Sequence, residues 1–296
     1  MDWAFPVANT SVADSGIWVR TLADVAAAVA HEKGVPSPVQ GTVNDTALAI
    51  ARSMLGGERK AVLLGNAAAH HARASSLLAL ANWIAEQTGA SVGYLTEAAN
   101  TVGAQLAGAV PGPDGLNAAQ MLSGALKAAV LLNCEPAFDS AAGPEAASGL
   151  RSADMVVSLS PFKANMDVAD VLLPIAPFTE TSGTFVNAEG RVQSFHAVVR
   201  AMGEARPAWK VLRVLGDLMG LNAGAFDSTR DVLAAVPGLQ GDDEGVTVQT
   251  GLLDNRTQAA IDITPVSTAP VVGSIYQLDD SWRSAQTALN SLTGTE

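Results

Sequence analysis

Short, largely apolar runs separated by helix-length stretches constrain this chain more than any other feature. They are Ala61-Val-Leu-Leu64, Ser91 to Leu95, Ala129-Val-Leu-Leu132, Met155-Val-Val-Ser-Leu159 and Asp170-Val-Leu-Leu-Pro174. A run of this kind predicts a strand buried on both faces. Pro174 ends the last one, because proline cannot donate to a ladder. Strands that alternate with helices need crossover connections, and so a parallel sheet. The predicted class is α/β: a Rossmann-like parallel sheet with flanking helices, followed by an irregular C-terminal extension with helices. The boundaries read from the chain are an N-terminal helical segment over 1–39, the Rossmann-like domain over 40–180, and a loop, helices and tail over 181–296.

The intervening stretches carry helical spacing. Val19, Leu22, Val25, Ala26 and Val29 fall on one face of a helix from Ser15 to Lys33, with Asp14 or Ser15 to cap it and Gly34 to end it. A second helix is predicted from Asn44 to Leu55. A long one follows the first strand, as far as Thr88, with Leu77, Leu80, Ile84 and Ala85 on its buried stripe. Others are expected over Asn117 to Lys127, Gly143 to Leu150 and Ser228 to Ala235. Pro207 opens a helix with Val211, Leu215, Leu218 and Met219 on one face, and Gly220 stops it. The stretch from Gly238 to Pro270 reads as an extended excursion. Trp282, Ala285, Leu289 and Leu292 predict a last helix.

Composition excludes several functions. Apolar residues make up 48% of the 296 and charged residues 16%, too apolar for a disordered chain. Lys plus Arg number 17 against 29 Asp plus Glu, a net charge of −12 with no basic cluster. Nucleic acid and anionic lipid both need basic groups, so neither is an expected partner. The only cysteine is Cys134. It cannot make a four-thiolate iron–sulfur site or a disulfide within this chain. No apolar run reaches the roughly 20 residues of a membrane span. Met1 to Thr10 lacks a basic n-region and a signal core. The expectation is a soluble, cytoplasmic chain.

Few motifs carry chemistry. Gly65-Asn-Ala-Ala-Ala-His70 joins a strand to a helix, where free N–H groups suit an anion. It lacks the dinucleotide fingerprint and the phosphate-loop lysine, so a plain turn is the favoured reading. His70 and His71 are adjacent and point about 100° apart on a helix. His31, His196 and Cys134 lie far from them in sequence, and no metal site is predicted. There is no Gly-x-Ser-x-Gly elbow. Glu180 and Glu189 bracket a glycine-bearing loop, where a solvated loop is favoured over a carboxylate pair. The segment from Glu180 to Gln193 stands apart. It is dense in hydrogen-bonding side chains yet directly follows a buried strand. Gly183 and Gly190 allow close backbone approach. Ligands of open α/β sheets lie off the carboxyl ends of strands, so this is the best candidate for a ligand loop or a docked loop.

Ala169-Asp-Val-Leu-Leu-Pro174, Glu180 and Gly183-Thr-Phe-Val-Asn-Ala-Glu-Gly-Arg-Val-Gln193 together resemble the signature of the molybdopterin oxidoreductase superfamily. The resemblance covers roughly 45 to 220. Within it the chain looks most like the G subunits of bacterial NADH:quinone oxidoreductase, respiratory complex I. Gly93 to Ala104, Leu131-Leu-Asn-Cys-Glu-Pro136, Ser160-Pro-Phe162 and Pro174 to Phe185 carry that likeness, and Ile275-Tyr276 and Asp280 to Leu289 carry it more weakly.

The resemblance implies the C-terminal portion of such a subunit, as a fragment or a split gene product with Met1 an internal start. Iron–sulfur clusters are then expected only in an N-terminal part that this chain lacks, and no cofactor is expected here. Gly183, Thr184, Asn187, Glu189, Gly190, Arg191 and Gln193 occupy the family's second pterin-side loop. The implied pterin pocket is empty and the loop structural, with Arg191 bridging carboxylates in a buried network. Gly183 is expected to need a glycine-only conformation or a close contact. Implied partners are other complex I peripheral-arm subunits and the cluster-bearing N-terminal part of the same large polypeptide. The implied location is the cytoplasmic face of the bacterial inner membrane. The alternatives are the cofactor-binding half of a genuine molybdopterin-dependent oxidoreductase, and a small-molecule module built on the turn at Gly65 to Ala69.

Overall fold

A computed structural model describes residues 5–140, 142–221, 224–242, 245–248 and 254–267. The expected last helix over Trp282 to Leu292, and the likeness at Ile275-Tyr276, lie outside the described residues. The chain divides into two compact units.

The first unit runs through Thr101 and takes in the returning stretch 254–267. The Asp14 carboxylate accepts the Gly16 N–H at 2.8 Å and starts a short turn that leads into α1 (Trp18–Lys33). Gly34, at φ 66°, ends it in the left-handed conformation that favours glycine. Helix α2 (Asp45–Gly56) is capped by Asn44, whose side chain accepts the Ala47 N–H at 2.9 Å. Then come β1 (Ala61–Leu64), α3 (Asn66–Ala69), α4 (Ala74–Thr88) and β2 (Ser91–Tyr94), with β1 and β2 paired in parallel. Alanines 23, 26 and 28 are fully buried on α1 and let α2 and α4 pack close. Val19, Val25, Val29, Leu77, Leu80 and Ile84 fill the core, sealed by Ile261 and Ile263.

Two expectations change here. Strand β1 is not buried on both faces, since Leu63 is 56% exposed and β2 is its only strand partner among the described residues. The predicted long helix is also broken into α3 and α4. The His71 ring accepts the Arg73 N–H at Nδ1, at 2.9 Å, and meets the Ser15 carbonyl through Nε2, also at 2.9 Å. This network assigns the proton to Nε2. The ring stacks on Trp18. A side chain that bonds its own backbone two residues on competes with helical pairing.

The second unit begins at Val102. It contains α5 (Thr101–Leu106), α6 (Ala118–Gln120), β3 (Ala128–Leu132), α7 (Pro136–Asp139), α8 (Glu145–Leu150), β4 (Met155–Ser160) and β5 (Val171–Pro174). The helix expected over Asn117 to Lys127 starts at a capping box of Asn117 and Gln120, and α6 passes into a π-helical turn over Met121–Ala125, which Gly124 at φ 94° distorts. Strands β3, β4 and β5 form a parallel sheet in that order, separate from the β1–β2 pair. Ala129, Leu131 and Val156 pack against Leu150, Leu122 and Leu126. Strand β4 is central and largely buried, whereas β3 alternates buried and exposed, with Val130 52% exposed. A continuous apolar run on an edge strand thus has one open face. The hairpin β6–β7 (Gly183–Val186 and Val192–Phe195), α9 (Ala208–Leu218), α10 (Thr229–Ala234) and the hairpin β8–β9 (Leu239–Asp242 and Gly245–Val248) complete the unit. Among the described residues no helix is long and apolar enough to cross a membrane.

Candidate functional site

Strand β5 delivers the polar segment. Beyond Pro174, Ile175 is buried and bridges Arg206 in parallel, and the Ala176 N–H donates to the Arg206 carbonyl at 2.9 Å. Everything from 177 to 205 is therefore an excursion closed at its base. Further bonds tighten it. The Val198 N–H donates to the Thr179 carbonyl at 2.9 Å, the Met202 N–H to the Glu180 carboxylate at 2.9 Å, and the Ala197 N–H to Ser182 Oγ at 3.3 Å.

The segment expected as a ligand loop is a β-hairpin. Gly183 pairs with Phe195, Thr184 with Ser194, Phe185 with Gln193 and Val186 with Val192. The turn is built by Asn187. Its carbonyl accepts the Gly190 N–H at 2.9 Å, and its N–H donates to the Arg191 carbonyl at 3.1 Å. Its side-chain oxygen accepts the N–H groups of Glu189 and Arg191, at 3.0 and 2.9 Å. Gly190 sits at φ 80°. A three-residue loop with a left-handed glycine matches the twist of its strands.

Gly183 is not in a left-handed conformation. A Cβ added there would lie 2.6 Å from Phe195 Cζ, so close contact is what requires the glycine. The Phe195 ring also meets Phe185 edge-on, at 5.2 Å between centroids. On the other face Thr184 and Ser194 share a hydroxyl hydrogen bond of 2.9 Å above the buried Val186. Arg191 differs from its expected role. Its side chain is 69% exposed and faces Glu189 at 3.8 Å, a surface pair. Such pairs contribute about 0–1 kcal/mol. Gln193 is exposed.

Several polar groups of this segment are engaged within the hairpin itself. The space that glycine opens at Gly183 holds the chain's own Phe195 ring. Thr184 is bonded to Ser194, and the Asn187 side-chain oxygen is taken up by the turn.

A second constellation lies at the carboxyl ends of β3 and β4, and Asn165 organises it. Its amide donates to the Cys134 carbonyl at 2.9 Å and to Ser158 Oγ at 3.1 Å. Asn133 and Asn165 both adopt positive φ, 47° and 59°. Ser160 is buried, and its hydroxyl accepts the Phe162 N–H at 3.1 Å. The stretches Leu131 to Pro136 and Ser160 to Phe162 are thus neighbours in space. Asn165 was not singled out by sequence. Its one available signal is that asparagine tolerates left-handed turns better than other non-glycine residues.

The histidines do not converge. His70 Nε2 lies 2.6 Å from the Glu97 carboxylate on the surface, while His71 is a buried tie within the first unit. Among the described residues no group of three or more His, Cys, Asp or Glu is placed to hold a metal. Near the turn at Gly65, burial pushes the Tyr94 phenol above its usual range.

The model of the molybdopterin oxidoreductase family matches residues 12–218, which include β1 to β7 and all of α9. The chain belongs to the molybdopterin oxidoreductase family. Within the family, stretches of it are similar to respiratory subunits. One is 46% identical over 54 residues to the mitochondrial 78 kDa subunit of NADH-ubiquinone oxidoreductase from Neurospora crassa, covering 18% of this chain and 7% of that one. The 75 kDa subunit of Reclinomonas americana is 39% identical over 66 residues, 22% of this chain and 9% of that one. The Candida albicans 78 kDa subunit is 49% identical over 51 residues, 17% and 7%. The matched stretches thus span less than a tenth of these relatives.

Proposed function

We propose that this molybdopterin oxidoreductase family chain is a structural, non-catalytic part of the large peripheral-arm G subunit of NADH:quinone oxidoreductase. In that role it scaffolds the cluster-bearing region of that polypeptide and contacts neighbouring peripheral-arm subunits. The location is the cytoplasmic face of the bacterial inner membrane. The holoenzyme passes electrons from NADH to quinone, and this portion binds none of NADH, flavin or quinone. The stretches similar to 75 and 78 kDa respiratory subunits support the assignment. One observation carries the structural role. The polar side chains of the signature hairpin that bond within the chain hold the hairpin in shape, at Thr184, Asn187, Ser182 and Glu180.

A second reading is the cofactor-binding half of a molybdopterin-dependent oxidoreductase. It is favoured by the extent of the family match, 12–218, and needs a separate chain to supply the metal ligand. The two readings separate on metal content. The chain is purified from a host that makes molybdopterin, and molybdenum and tungsten are measured by mass spectrometry. Near-zero metal per chain is the expected result. Near-stoichiometric metal overturns the structural role.

A further inference from the structure

Helix α9 carries an apolar stripe along which no described helix or strand packs extensively. Val211, Val214, Leu215 and Leu218 recur at the spacing that makes one helical face. Val214 is 50% exposed and Leu218 82%. They line an open groove of about 430 Å³ that lies within the second unit. Its rim is Arg206, Lys210 and Arg213, and no carboxylate lines it.

The charge of that rim is largely unmatched. The Arg206 guanidinium donates to the Gly203 and Ala205 carbonyls, at 3.2 and 2.8 Å, which orients it without neutralising it. Lys210 Nζ lies 5.2 Å from the centre of the Trp209 ring. Among the described residues neither side chain faces a carboxylate at ion-pair distance, whereas Arg213 lies 3.4 Å from Asp227. In a chain with 17 basic and 29 acidic residues, the rim has the opposite sign to the average surface.

Exposure and charge together select the occupant. A small amphiphile needs most of its surface enclosed, and a face on which Leu218 stands this open encloses little. A second copy docked about a two-fold axis through the groove would set the basic rim against itself. An anionic membrane surface repels a chain with a net charge of −12. An amphipathic helix of another polypeptide meets both demands. Its apolar residues at intervals of three and four pack on the stripe, and acidic residues beside them pair with Arg206 and Lys210.

We propose that the α9 groove is the docking site for an acidic amphipathic helix of a separate polypeptide. The proposal deepens the structural reading above, and it rests on that reading for the place of the partner in the peripheral arm.

The test uses the full-length chain in its native host. A photo-reactive benzophenone amino acid replaces Val214 or Leu218, and cross-linked peptides are mapped by mass spectrometry. Both positions are expected to capture one stretch of another polypeptide, with acidic residues flanking an apolar helical stripe. The same probe in place of the exposed Val12 gives the background yield. Arg206→Glu/Lys210→Glu should lower the yield about tenfold at an unchanged melting temperature, and lysines at the partner's facing acids should restore it. If the double variant melts lower, Lys210→Glu alone carries the comparison, with a loss of about threefold. Cross-links to a second copy, to the chain itself or to no polypeptide overturn the proposal. So does a yield indifferent to the charge change. Co-purification with peripheral-arm subunits but no capture from α9 sinks the groove and leaves the structural reading standing. Capture of a matching helix in a protein outside NADH:quinone oxidoreductase keeps the groove and sinks that reading.

Discussion

Helix α1 buries eight of its sixteen residues, whereas α9 buries one of its eleven. Yet the apolar and polar faces are more sharply separated on α9. Alanines on α1 allow the backbones of α2 and α4 to come close, so the stripe closes within the first unit. The stripe on α9 has longer side chains and basic neighbours, and no described helix lies along it. Amphipathicity shows that a face requires covering, but not what covers it. The strands do not divide the same way. The helical core of the first unit is sealed by a returning segment, yet Leu63 on β1 and Val130 on β3 both stand on open strand faces.

The largest test of this contrast is a pair of truncations. Leu80→Ala, at a fully buried position, should cost about 3 kcal/mol. Val130→Ala, on the open face of β3, should cost less than about 1 kcal/mol. Chemical denaturation of both variants settles it, and equal losses would mean that the open face of β3 is as tightly packed as the helical core. Next comes Gly41→Ala. Its new methyl would lie 2.4 Å from the Ala23 carbonyl oxygen and 3.0 Å from Ala27 Cβ, where helix backbone cannot yield easily. A loss of about 2 kcal/mol is expected. A neutral result would show that the packing on α1 is looser than its alanines imply.

Gly183→Ala should be milder, about 1 kcal/mol, because the methyl meets a ring that can turn rather than backbone. The contact makes a second prediction. Adding Phe195→Leu should reduce the cost of Gly183→Ala, and a double-mutant cycle by thermal melting reads the coupling. Strict additivity would assign the glycine to something other than Phe195.

The smallest effect is one of pH. The Ser228 hydroxyl, then the Asp227 and Ser228 N–H groups, hold the Asp231 carboxyl below its usual range. A depressed value in the folded state means that the stabilisation is present above the unfolded value of ~3.9. It is lost as pH falls through the folded one. Helix α10 should therefore fray at its start as pH falls below about 4. Amide shifts over 228–235 between pH 5 and pH 2 follow it, and Asp231→Asn should remove the dependence. A titration curve shared with the α1 amides would contradict the local origin.

Much of the secondary structure was legible, because capping and breaking are local. Asp14, Gly34, Asn44, Pro207 and Gly220 mark helix ends by chemistry that needs no distant partner. The break at His70 to Arg73 was not legible, since it depends on a carbonyl at Ser15, more than fifty residues away. The strands of the signature hairpin were read as loop. Each is only four residues long, Gly183-Thr-Phe-Val186 and Val192-Gln-Ser-Phe195, with no continuous apolar run, and only cross-strand pairs such as Thr184 with Ser194 make them strands. For the candidate site, Gly183 was visible as a position of close approach, but its neighbour Phe195 was not. Asn165 was missed altogether, because its partners at Cys134 and Ser158 meet it only through the sheet.

The sequence by itself determined the family, through the signature residues from Ala169 to Gln193. It also determined the α/β class, the parallel pairing and the ends of most helices, which follow from periodicity and from side chains that act on their own backbone. Tertiary structure alone decided which apolar runs became edge strands, where the two units divide, and what the signature glycine accommodates. Those outcomes depend on contacts between residues far apart in the chain, and burial is set by what arrives on a face rather than by what the face is made of.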